Sequence, residues 1–132
     1  MKNLMETNIY DAYGKTLICG SCTPIMEKEG FLKLSKDYDT VLYLCLENTH
    51  INMAITKICG MLSCLKVTKL DFVSVNKSPH CIQLHYIKGE VKRVISNVDI
   101  SNFMIEKGVI YKVSDDVLSL SKNLVKLMEK VG

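Results

Sequence analysis

Residues 41–46 read VLYLCL, residues 51–65 read INMAITKICGMLSCL and residues 70–75 read LDFVSV. Val41 to Leu46 is apolar on both faces, which suits an interior strand of a parallel sheet covered by helices on each side. Behind it, Ile51, Ala54, Ile55, Ile58, Leu62 and Leu65 recur at helical spacing, with Asn48 or Thr49 as the N-cap. A strand, a helix and a strand in succession form a right-handed crossover, so VLYLCL and LDFVSV are expected to lie parallel in one sheet.

Upstream, Thr16 to Cys19 reads as a short strand that runs into Cys19-Gly20-Ser21-Cys22-Thr23-Pro24. Pro24 suits a first helical position and Thr23 the cap, and the helix that follows, weakened by Gly30, extends to about Tyr38. Downstream, Asn76-Lys77-Ser78-Pro79 reads as a turn. His80 to Ile87 then reads as a strand running back, closed by Lys88-Gly89 into another strand over Glu90 to Ile95. A short helix near Asp99 to Glu106, a strand Val109 to Val113 and a final helix capped by Ser114 complete the chain. Val117, Leu120, Leu124, Leu127, Met128 and Val131 form the apolar stripe of that last helix. The expected fold is one α/β domain over residues 1–132, with a mixed, mainly parallel sheet, flanking helices and a C-terminal helix.

A chain of 132 residues with 48% hydrophobic side chains can bury a continuous core without disulfides or a structural metal. No secretory leader and no run of membrane-spanning length is present, so the reading is a soluble cytoplasmic protein with no membrane partner. Six cysteines are expected to stay reduced there, which favours metal or thiol chemistry over a disulfide framework. The formal charge of +3 includes a single arginine, Arg93, and no tryptophan, which argues against a nucleic-acid partner.

Ligands of open α/β sheets bind outside the carboxyl ends of the parallel strands. The three candidate strands end in Cys19-Gly20-Ser21-Cys22, in Glu47-Asn48-Thr49-His50 and in Ser78-Pro79-His80-Cys81. If those strands are neighbours, three cysteines, two histidines and a carboxylate gather at one edge. Cys19, Cys22 and Cys81 are then the expected ligands of a metal ion or iron–sulfur cluster, with Glu47, Asn48, His50 and His80 as completing or supporting groups. Alternatively, Cys19 and Cys22 alone form a catalytic thiol pair, since a thiolate near a helix N-terminus is favoured. Cys59 and Cys64 point about 140° apart on a helix and cannot share a ligand. Cys45 and Cys59 read as core residues, and His85 as part of a solvated row on its strand.

The Cys-x-x-Cys pair after the first strand, Glu47 after the next and Cys81 in a Pro-containing loop resemble the iron–sulfur small subunits of hydrogenases and of complex I. That resemblance implies Cys19, Cys22, Glu47 and Cys81 as the site. The order Cys-Gly-Ser-Cys, Ser78-Pro79 and then a hairpin is similar to thioredoxin-type proteins, which implies thiol–disulfide exchange at Cys19 and Cys22. A non-catalytic binding subunit, recruiting a redox partner, another protein or a second copy of the chain, is the remaining reading.

Overall fold

The computed structural model describes residues 1–132. In chain order the elements are β1 (Lys2–Asn3), a 3-10 turn (Leu4–Glu6), β2 (Gly14–Gly20), α1 (Thr23–Met26), α2 (Lys28–Ser35), β3 (Thr40–Leu44), α3 (Ile51–Ser63) and β4 (Val67–Val75). These are followed by α4 (Ile82–Val94), β5 (Ile100–Glu106), β6 (Val109–Val113), α5 (Asp115–Lys122) and α6 (Leu124–Val131). One six-stranded sheet has the order β1-β3-β2-β4-β5-β6. Every pairing is parallel except that of β5 with β6. The mixed, mainly parallel α/β sheet expected from the sequence is therefore present, and no helix is long and apolar enough to cross a membrane.

Five elements of the sequence reading differ in the structure. The expected strands His80 to Ile87 and Glu90 to Ile95 are one helix, α4. Its buried positions Leu84, His85, Ile87 and Val91 form a helical stripe, and counting His85 as a polar, exposed residue hid that period. Gly89 projects into open space and interrupts nothing. The expected helix near Asp99 to Glu106 is strand β5, whose Ser101 and Asn102 are buried because both faces of the strand are covered. The hairpin turn consequently falls at Lys107-Gly108, where both residues have positive φ, as a two-residue turn of the primed type requires. The helix after Pro24 breaks at Glu27, whose carboxylate accepts from the backbone N–H groups of Lys107 and Gly108. Gly30 then lets α2 close on β5, since a Cβ there would stand 2.6 Å from Ile105. The C-terminal helix is likewise two segments, and Asn123 ends α5 and caps α6.

Side chains on the two faces of the sheet form separate cores. On one face α3 and α4 cover Ile18, Leu42, Leu44, Leu70, Phe72 and Ile100 in a cluster of 16 buried residues. On the other, α2 covers Leu17, Cys19, Val73 and Ile105 in a cluster of 5. Each core encloses a polar group held by partners, as burial demands. On the α2 face, Asp71 of β4 accepts from the Tyr38 hydroxyl and pairs with Lys69. Burial and the Asp71 carboxylate together push the Tyr38 phenol well above its ordinary range.

On the α4 face, His85 lies between Asn102 Oδ1, 2.8 Å from its Nδ1, and the Ser74 hydroxyl, 2.6 Å from its Nε2. Asn102 Oδ1 can only accept, so Nδ1 carries the proton and Nε2 accepts from Ser74. The chain ties α4 to β4 and β5 through a neutral imidazole.

Burial holds the His85 pKa below its ordinary 6.5, against the opposing pull of Asn102. The unfolded chain therefore takes up a proton before the folded one does. Stability is flat above the unfolded pKa and falls as pH drops through it, by at most about 1.4 kcal/mol per pH unit. Urea unfolding at pH 7.5 and pH 5.0 should show a larger acid loss in the wild type than in His85→Gln, which has no titrating ring. Equal losses in the two proteins would contradict the buried neutral histidine.

Candidate functional site

Strand β2 pairs with β3 on one side and with β4 on the other, both parallel. The chain leaves β2 toward one edge and later returns to its opposite side, so the loops after β2 and β4 diverge over the end of β2, the switch point at which sheets of this kind form a crevice. The three strand ends named from the sequence are neighbours in this arrangement.

Gly20 is the last residue of β2, in register with Leu44 of β3. Its Cα–H faces the side on which Cys81 begins α4: a Cβ at position 20 would stand 3.0 Å from the Cys81 sulfur and 3.8 Å from the Cys81 Cβ. An added side chain would crowd the Cys81 sulfur and oblige it to give by a few tenths of an ångström, so glycine lets that thiol sit close over β2. The backbone N–H of Cys81 donates to Ser78 Oγ at 3.3 Å, fixing the residue at the mouth of α4. Burial pushes the Cys81 thiol above its ordinary pKa, the Ser78 hydroxyl pulls it down, and the neighbouring Cys22 and Cys45 raise it again. Cys45 follows Leu44, the residue in register with Gly20, so the ends of β3 and β2 bring it to the same edge as Cys81.

Cys45 follows the last residue of β3 and is part-exposed rather than packed in the core, contrary to its sequence reading. The β3 strand ends at Leu44, one residue before it, and the chain turns there through hydrogen bonds from the N–H groups of Asn48 and Thr49 to the Cys45 carbonyl. Partial burial works to raise the Cys45 pKa. The polar groups of that turn, the backbone of Asn48 and Glu47 and the Ser21 hydroxyl, favour the thiolate enough to outweigh burial and the Glu47 carboxylate, and the thiol is held below its ordinary value. No sequence pattern marks this effect; the cue was the turn-forming Glu47-Asn48-Thr49 directly after an apolar run.

The remaining sequence candidates are distributed differently. Cys19 points to the opposite face of the sheet from Gly20, among Leu17, Phe31, Val73 and Ile105, with its sulfur 3.6 Å from Met1 Sδ. Burial pushes its thiol up to about 12. Cys22 is exposed at the start of α1 and its side chain makes no capping bond. His50 caps α3, its Nδ1 accepting from the Asn52 N–H at 3.2 Å. Glu47, Asn48 and His80 are exposed in the loops around the crevice. No three of the His, Cys, Asp and Glu side chains are grouped so as to hold one metal ion, so Cys19, Cys22 and Cys81 are not assembled round a common point. Thr23, expected to cap α1, is one residue inside it, and its buried hydroxyl has no hydrogen-bond partner.

A second constellation, Ser74–His85–Asn102, has the connectivity of nucleophile, base and orienting group. Ser74 is fully buried, however, and its hydroxyl has no open side from which a substrate could be attacked. Its work is structural.

No protein-family model, curated protein or solved structure matches the chain.

The spacing over Gly20 can be tested directly. A Cβ–Cβ separation of 3.8 Å equals the mean of about 3.8 Å found in disulfides. In Gly20→Cys, mild oxidation should link the peptides that carry positions 20 and 81, as read by mass spectrometry under non-reducing conditions. Recovery of both peptides unlinked would contradict the seat of Cys81 over β2.

Proposed function

We propose that the protein is a small thiol-redox protein whose site lies in the crevice over Gly20, with Cys45 as the attacking thiolate and Cys81 as the thiol that completes the exchange. The observation that carries this reading is the seating of the Cys81 thiol over Gly20, a position in register with Leu44, the residue before Cys45, whose own thiol is held below its ordinary pKa by the turn after β3. Donors favour the charged form of a thiol, and the thiolate is the nucleophile in exchange. The absence of any three-ligand grouping favours exchange between two thiols over a preassembled metal centre. The burial of Cys19 favours Cys45 over the Cys19–Cys22 pair as the reacting couple.

The chemistry balances as follows. The Cys45 thiolate attacks one sulfur of a disulfide substrate; the new sulfur–sulfur bond forms as the substrate's bond breaks, and the departing thiolate takes a proton from water. Cys81 then releases its proton to water and attacks Cys45 Sγ. An intramolecular Cys45–Cys81 disulfide closes, and the second half of the substrate leaves as thiolate. Two electrons pass from the protein's two thiols to the substrate disulfide. A dithiol reductant returns the protein to its starting state. Cys22, exposed beside Cys81, is left out of this couple.

Reaction of the reduced protein with a small chromogenic disulfide at pH 7 separates the roles. The wild type should release two thiol equivalents in its fast phase. Cys45→Ser should lose that phase, with a drop in initial rate of more than about tenfold. Cys81→Ser should release one equivalent and retain a mixed disulfide on Cys45, and Cys19→Ser should behave as the wild type. A fast phase that survives in Cys45→Ser and disappears in Cys19→Ser would overturn this reading in favour of the Cys19–Cys22 pair.

A further inference from the structure

Thr23 is fully buried, yet its hydroxyl oxygen has no hydrogen-bond partner. Such a group is uncommon in a folded protein, because sealing a hydroxyl from water without a partner is destabilising and valine would fill the same volume without that penalty. Local structure explains why the helix offers it nothing. Cys22, not Thr23, occupies the cap position of α1, Pro24 has no N–H to donate, and the helix is 4 residues long.

Its surroundings indicate what the hydroxyl faces. Thr23 Oγ1 lies 3.4 Å, and Cys81 Sγ 3.0 Å, from one point above Gly20, where a Cβ would stand. The unpartnered hydroxyl and the resolving thiol therefore flank the same small space. The two side chains make no hydrogen bond in this arrangement, so a small shift of one of them is needed to bring the hydroxyl onto the sulfur; a thiolate, a much stronger acceptor than a thiol, would draw it there.

We propose that Thr23 is a positioning residue for Cys81, holding a hydroxyl in reserve that donates to the Cys81 sulfur once it becomes a thiolate. The proposal rests on the thiol-exchange reading of the site and names a further group in it. Cys81 needs such a donor. Burial and the adjacent Cys22 and Cys45 thiols disfavour its charge, and Ser78 is the only side chain that counters them through a hydrogen bond. The order of events then has a physical basis. Cys45, whose turn already favours the charged form, attacks first, whereas Cys81 gains Thr23 as a donor only on deprotonation, when it closes the disulfide.

The test uses the pH profile of alkylation at Cys81, followed by peptide mass spectrometry in the Cys45→Ser background so that Cys45 does not compete. Thr23→Val should move the midpoint for Cys81 upward by about half a unit or more, the size expected for loss of one hydrogen bond to the charged form. In the chain with Cys45 intact, it should slow release of the second thiol equivalent severalfold while leaving the first unchanged. Thr23→Ser, which keeps the hydroxyl, should restore both values. Thermal unfolding of Thr23→Val should be at or above the wild-type midpoint, showing that the effect is not a loss of fold. An unchanged Cys81 midpoint in Thr23→Val would overturn the proposal, as would equal shifts in Thr23→Val and Thr23→Ser, which would mark a packing effect of the methyl group. Absence of any fast exchange in the wild type would overturn the reading of the site instead, and the Cys81 titration would still decide the role of Thr23.

Discussion

Parallel pairing on both sides of β2 is the constraint from which the rest of the structure follows. Once β3 lies on one side and β4 on the other, each connection must cross a face of the sheet as a helix, and the right-handed sense of those crossings sends α2 to one face and α3 to the other. The carboxyl end of β2 is then the one place where successive loops part, and it is where the chain puts a glycine between two cysteines. Placement of the site is a consequence of topology; its chemistry is a consequence of which side chains the loops deliver there.

The two cores are unequal, 16 buried residues against 5, and each contains polar groups that a purely apolar interior would not. Asp71 with Tyr38 on one face and Ser74–His85–Asn102 on the other are hydrogen-bonded and define how helices sit, although Asn102 Nδ2 is buried without a partner. The Thr23 hydroxyl is a second unpartnered group, at the edge of the crevice. Departures from local consistency of this kind concentrate at functional sites, where a fold gives up some stability for chemistry.

Much of this was legible in the sequence. VLYLCL, the helical stripe from Ile51 to Leu62 and LDFVSV lie in a β-α-β unit with the spacing and direction expected of them, and the loops after β2, β3 and β4 reach a common edge. What misled was polarity inside elements. His85 looked like a surface residue and turned a helical period into an apparent alternation, while the buried Ser101 and Asn102 made a covered strand resemble an amphipathic helix. Within the site, Cys81 was legible through its loop, but Cys45 was not. Its lowered pKa depends on where β3 stops and on the backbone of the turn that follows, and backbone polarity leaves no signature in residue types. The role of Gly20, making room for a sulfur from a loop about sixty residues away in sequence, requires knowledge of a long-range contact.

The central claim is that the crevice couples Cys45 to Cys81. The most direct measurement is the disulfide map of the wild-type protein after limited oxidation with a disulfide such as oxidised glutathione, made by non-reducing peptide mass spectrometry. A predominant link between the peptides carrying Cys45 and Cys81 is the predicted result. A predominant link between Cys19 and Cys22, or an oxidised protein with no intramolecular link at all, would contradict it.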